Sequence, residues 1–178
     1  MRKFLDLYEA PQTLVFAFGR FNPPTTGHEK LITKVASVAG SNPYRIYPSF
    51  TTNPKKDPLP HSLKVAYMRK MFPKHRKNII ADSKMKTAIF IAEAAYKEGF
   101  KNLIMVVGSD RVKEFSELLT RYNDAPDKKG NQLFKFDSVK VVSAGERDPD
   151  SEGVFGMSAS KMRAAAAKGD KESFLSGV

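Results

Sequence analysis

Apolar residues in this chain gather in short unbroken runs, separated by stretches in which they recur every three or four positions. That alternation predicts strands followed by helices. Thr13-Leu14-Val15-Phe16-Ala17-Phe18-Gly19 is a run of strand length ended by glycine, and behind it Leu31, Ile32, Val35, Ala36 and Ala39 fall on one helical face. Arg45 to Phe50 predicts a second strand, followed by a Pro-rich loop to Pro60 and a helix in which Leu63, Ala66, Tyr67 and Met71 share a face. Asn78 to Ala81 is a short strand candidate; Ala88, Ile89, Ala92, Ala95 and Tyr96 mark a helix stopped by Gly99. Leu103-Ile104-Met105-Val106-Val107-Gly108 is the clearest buried strand. Val112, Phe115, Leu118 and Leu119 form another helical stripe. Asn123 to Gln132 is polar and turn-rich, Val139 to Ser143 is strand-like again, and a last helix is expected from about Ser158.

Five strands alternating with helices predict an α/β fold: a Rossmann-like three-layer α/β/α arrangement with a five-stranded, mainly parallel sheet and ligands at the carboxyl ends of the strands. The 178 residues suit one domain, with residues 1–12 as an N-terminal extension and no internal repeat or linker. Composition changes this picture in three ways. The lack of cysteine excludes disulfides, zinc–thiolate sites and a thiol nucleophile, and suits a reducing compartment. No apolar stretch has the length of a secretory signal or a bilayer span, so a cytoplasmic protein with no membrane partner is expected. Thirty Lys+Arg against 19 Asp+Glu give a formal charge of +11, which favours polyanionic partners, whether nucleotides, nucleic acid or an anionic surface.

Charge alone does not choose among these, and the motifs narrow the choice. Gly19-Arg20-Phe21-Asn22-Pro23-Pro24-Thr25-Thr26-Gly27-His28 lies between the first strand and the first helix. A glycine lets backbone approach a ligand, prolines stiffen the turn, and the unpaired N–H groups of a helix N-terminus suit phosphate. A histidine and a threonine fixed there can donate to phosphate oxygens on which negative charge builds. The plainer alternative is a Pro-rich turn with a capping threonine and a surface histidine.

The complete string resembles the nucleotidylyltransferase superfamily, whose signature ends in His-x-Gly-His or Thr-x-Gly-His, with Thr25 at the first position and His28 at the last. The resemblance implies an enzyme that moves a nucleoside monophosphate from a triphosphate onto a small phosphorylated acceptor. It assigns catalysis to His28 and Thr25 and nucleotide contacts to Gly19, Arg20, Phe21, Asn22 and Gly27. A second element, Gly156-Met157-Ser158-Ala159-Ser160-Lys161-Met162-Arg163, resembles the superfamily's Ile-Ser-Ser-Thr-x-x-Arg. There it meets the β and γ phosphates, which implicates Met157, Ser158, Ser160, Lys161 and, as a catalytic residue, Arg163. Ala159 stands where the family usually has a second serine, which removes one donor.

Asn53-Pro54-Lys55-Lys56-Asp57-Pro58 resembles the Pro-x-Lys-Lys-Pro loop of phosphopantetheine adenylyltransferases. Alignment on Pro58 makes Lys56 the catalytic lysine, with Lys55 the other candidate because Asp57 takes the place of the family's second lysine. After the strand at Leu103, the resemblance puts Gly108 and Asp110 beside base or ribose and lets Arg111 reach phosphate; Asp110 as a helix cap is the competing reading. The likeness runs from about Thr13 to the C-terminus and includes phage-type nucleotidyltransferases.

No Ser–His–acid set or histidine metal cluster is evident, so direct in-line transfer is expected, with Mg²⁺ carried on triphosphate oxygens and no protein metal ligands. ATP is the expected donor and CTP the alternative; the acceptor is open. From another class, the basic surface could bind nucleic acid, or the fold could serve as an inactive nucleotide sensor.

Overall fold

The structure is a computed structural model that describes residues 12–21, 24–50 and 59–145, together with Arg163, Ala166 and Gly169. Strands β1 (Thr13–Gly19), β2 (Tyr44–Pro48), β3 (Asn102–Val107) and β4 (Ser138–Ser143) form one sheet in the order β2-β1-β3-β4, every pairing parallel. Helices α1 (Thr26–Ala39), α2 (His61–Met71), α3 (Ala88–Glu98) and α4 (Val112–Tyr122) lie between them in the chain.

The run at β1 is continuously apolar because both of its faces are covered. Leu14 and Phe16 enter a core with Ile91, Ala92 and Ala95 of α3 and Leu119 of α4. Val15 and Ala17 enter a second core with Ile32, Val35 and Ala39 of α1 and Val65 and Met68 of α2. Alternate side chains of a strand point to opposite faces, so one strand supplies both cores. The expected three layers are therefore present, with α1 and α2 on one face and α3 and α4 on the other.

Two expectations are corrected. The described residues hold four strands rather than five: Asn78 to Ala81 makes a single parallel bridge, Ile46 to Ile79, with the Ile80 N–H donating to the Ile46 carbonyl at 2.8 Å. Pro73–Asn78 winds into a 3-10 helix immediately before it, and Asn78 is tied sideways to the Tyr44 carbonyl. Extended backbone is thus too short there for a ladder, although the segment occupies the edge position next to β2. The second correction concerns α2. Of that stripe Met71 packs partly against the second core, but Leu63 and Tyr67 are 43% and 47% exposed and Ala66 also faces solvent, whereas Lys64, Val65 and Met68 form the buried side. A lysine inside the core is the reason that the apolar stripe pointed to the wrong face.

Among the described residues no helix is long and apolar enough to cross a membrane.

Candidate active site

The sheet order places a crevice. From β1 the chain moves outward to β2, then returns to β3 on the other side of β1, so the loops leaving β1 and β3 diverge at the carboxyl ends of adjacent strands. Such a reversal point is where open α/β sheets bind ligands. Gly19 ends β1 and Gly108 follows β3, which brings the first motif and the Gly108 loop to its two walls.

Gly19 eases a close approach: a Cβ there would lie 3.2 Å from the Phe21 ring, tighter than ordinary contact. Phe21 folds back over that glycine with φ 47° and is 2% exposed. A non-glycine residue in the left-handed region costs on the order of 1–2 kcal/mol, which burial of the ring offsets. The ring in turn meets His28 edge-on, with centroids 4.9 Å apart.

His28 is the third residue of α1, and its Nδ1 accepts the Thr25 backbone N–H at 2.9 Å, with the Thr25 hydroxyl 3.1 Å away. A ring nitrogen that accepts a backbone N–H cannot carry the hydrogen of neutral imidazole, so Nε2 becomes the donor. Thr25 itself is 1% exposed. Its hydroxyl lies against His28, which makes it a holder of the imidazole. Gly27 and Arg20 are exposed at the helix start and the strand end.

On the other wall, a Cβ on Gly108 would come within 2.8 Å of Asp110 Oδ1, so the missing side chain leaves room for that carboxylate. Asp110 sits in the 3-10 turn Ser109–Arg111; the N-cap position of α4 belongs to Arg111, which makes no side-chain capping bond. The capping reading of Asp110 is therefore not realised. Arg111 donates to Glu114 at 2.7 and 3.2 Å and lies over the Phe115 ring at 5.1 Å. An exposed pair of this kind is worth under about 1 kcal/mol, so it holds the arginine only loosely.

The Ala144 N–H donates to the Val107 carbonyl at 2.7 Å, and a Cβ on Gly145 would lie 3.9 Å from the end of the Lys30 side chain on α1. The chain leaving β4 thus runs near the N-terminal half of α1. Arg163 is helical and half-buried. Asn22, Lys55, Lys56, Met157, Ser158, Ser160 and Lys161 lie outside the described residues, as does the start of the last helix.

Two residues at this edge escaped the sequence reading. Lys64, 0% exposed, donates to the Ser49 carbonyl at 2.9 Å and to its hydroxyl at 3.3 Å. Ser49, 3% exposed, donates its N–H to the Gly19 carbonyl at 2.8 Å. The available signal was phase: Lys64 shares its helical face with Met68 and Phe72, four and eight positions on. Next to them His61 stacks on Phe50, with centroids 3.5 Å apart, and burial followed by the Lys64 charge holds its pKa below the ordinary 6.5. A separate hollow of about 300 Å³ beside β2, walled by Tyr47, Asp82 and the Arg45–Glu98 ion pair, lies apart from the crevice. Among the described residues no three His, Cys, Asp or Glu side chains converge as a metal cage.

A model of the cytidylyltransferase-like family matches residues 16–164. The fold is similar to nicotinic acid mononucleotide adenylyltransferase of Plasmodium falciparum, 14% identical, in two structures. The form complexed with APC has a TM-score of 0.59 over 94% of this chain and 90% of that one. The form complexed with NaAD has a TM-score of 0.55 over 90% and 89%. A protein of Vibrio parahaemolyticus assigned as a nicotinate-nucleotide adenylyltransferase is 13% identical, with a TM-score of 0.53 and 92% of each chain covered. At these identities the likeness shows the fold alone. No curated protein matches the chain by sequence.

Proposed function

The chain belongs to the cytidylyltransferase-like family, and on that premise we propose that it is an adenylyltransferase. It transfers AMP from ATP to a small phosphorylated acceptor and releases pyrophosphate. The observation that carries this reading is the 2.9 Å bond from the Thr25 N–H to His28 Nδ1, which turns Nε2 into a fixed donor at the N-terminus of α1. A donor oriented before substrate arrives stabilises charge developing on phosphate oxygens at no cost of reorganisation. The acceptor phosphate is already an anion, so it attacks the α-phosphorus in line without a strong base, and the site supplies orientation and positive charge.

Residues on the walls divide this work. Gly19 and Gly108 let the backbone approach the nucleotide and Asp110 faces ribose or base; the family resemblance gives Arg163, Ser158 and Ser160 the outer phosphates and Lys56 the reacting ones. Donors of this kind fit a magnesium ion held by triphosphate oxygens and water rather than by a protein cage. Bound there, Mg²⁺ would supply charge neutralisation.

A magnesium-dependent screen of pyrophosphate release, with ATP and CTP against a panel of phosphorylated metabolites, tests the proposal. Release with ATP and one acceptor is expected; release with CTP alone would replace adenylyl by cytidylyl transfer, and no release with either would overturn the enzyme. One observation favours a second reading. Lys70, Lys74, Arg76 and Lys77 are all exposed on the stretch from the end of α2 through the following 3-10 helix, a surface suited to a phosphodiester backbone. Binding of RNA or DNA there would fall steeply with salt and survive His28→Ala, whereas transfer would not.

A further inference from the structure

We propose that Lys64 is a positioning residue for His28, acting through the carboxyl ends of β2 and β1. This rests on the catalytic reading of His28 given above.

The connection is continuous. The Lys64 ammonium, fully buried, grips both the carbonyl and the hydroxyl of Ser49. Ser49 is the first residue beyond β2, and its N–H closes on the Gly19 carbonyl, the last rung between β2 and β1. The Phe21 ring lies over Gly19, where a Cβ would stand only 3.2 Å from it, and that ring packs edge-on against His28. Phe21 itself has a positive φ of 47°. An imidazole donor is useful only when held to within a few tenths of an ångström, and such precision comes from supporting groups locked by packing and hydrogen bonds.

An apolar side chain would fill the same space on α2, and burying an ammonium is costly unless its donors are satisfied. Lysine brings what no apolar residue can, a charge-assisted grip on the strand end. Buried polar groups of this sort are best attested where they fix one arrangement among several. Here the arrangement is the register of two strand ends with the first turn of α1, which carries His28. Lys64 does not touch the nucleotide in this scheme.

The test reads the imidazole directly and without turnover. The chain has three histidines, His28, His61 and His75, so long-range ¹⁵N–¹H correlation spectra resolve each ring. The wild-type protein should show His28 as the Nε2–H tautomer. In Lys64→Met the His28 nitrogens should shift toward a mixed tautomer while those of His75, on the 3-10 helix and paired with the Tyr44 hydroxyl, stay fixed; Lys64→Arg should restore them. In the same series, turnover should fall about tenfold in Lys64→Met with KM for the triphosphate changed less than about twofold, the mark of a loss confined to the transition state.

A folded Lys64→Met protein with unmoved His28 signals would overturn the proposal. Should that variant fail to fold, Ser49→Ala, which keeps the carbonyl bond and loses only the hydroxyl, carries the same readout: displaced His28 signals support the brace and unmoved ones refute it. If the wild-type protein turns over no substrate, the adenylyltransferase reading fails while the spectra still decide whether Lys64 orders the ring.

Discussion

His28 holds the start of α1 through one ring nitrogen and offers the other as a donor, so replacing it separates folding from chemistry. His28→Ala should lower turnover by roughly 10² to 10³. Loss of the bond from Thr25 should cost only about 1 kcal/mol, a melting shift of about 2–4 °C. Steady-state kinetics beside a thermal melt check both, and an unchanged kcat would strip His28 of its role. Another residue-scale prediction concerns His61, whose pKa burial, and then the Lys64 charge, hold below 6.5. The unfolded chain takes up a proton near that value and the folded protein resists it, so stability is full above pH 6.5 and declines as pH falls toward the folded value. Denaturation midpoints should therefore drop between about pH 7.5 and 5.5, and His61→Phe, which preserves the stack on Phe50, should flatten the drop. His75 is shifted the same way, by burial first, and leaves a residual slope. An identical slope in the variant would show that His61 is not the group responsible. His28 was legible in the sequence because a ten-residue string surrounds it. Lys64 was not, because its phase with Met68 and Phe72 marks a face but does not say what would satisfy a buried ammonium until its acceptor, Ser49, is placed beside it.

Elements were legible to the degree that their determinants are local. The stop of α3 at Gly99 was, since a residue at φ 102° that returns its N–H to the preceding turn favours glycine. So was β1, whose seven residues match the apolar run. The start of α3 is capped by Thr87, whose hydroxyl accepts the Phe90 N–H at 3.3 Å. Thr87→Ala should cost about 1 kcal/mol and lower the melting temperature by about 2–4 °C without touching substrate affinity. A variant that melts with the wild type would show that the cap contributes nothing. Where pairing or burial depends on distant chain, the sequence misled. Asn78 to Ala81 has strand-like residues, yet a 3-10 helix in front of it leaves a single bridge. The stripe of Leu63, Ala66 and Tyr67 has a core-like period, yet it faces out because Lys64, Val65 and Met68 fit the sheet.

For the whole molecule, a ligand that binds across the loops after β1 and β3 stabilises the folded state by mass action. ATP with Mg²⁺ at about a hundred times its Kd should contribute roughly 2.7 kcal/mol and raise the melting temperature by roughly 5–10 °C. Arg163→Ala should shrink that rise by weakening the triphosphate; an undiminished rise would separate Arg163 from the nucleotide, and no rise with any triphosphate would remove the site. The sequence by itself determined the strand–helix alternation, the α/β class, the family through the string from Gly19 to His28, and the positive charge, because all of these are written in nearest neighbours, short periods or sums. Tertiary structure alone decided the order β2-β1-β3-β4, the face of α2 that is buried, the nitrogen of His28 that carries the hydrogen, and the grip of Lys64 on Ser49. Each of those depends on which remote groups meet, and a contact between residues far apart in the chain exists only once loop closure has brought them together.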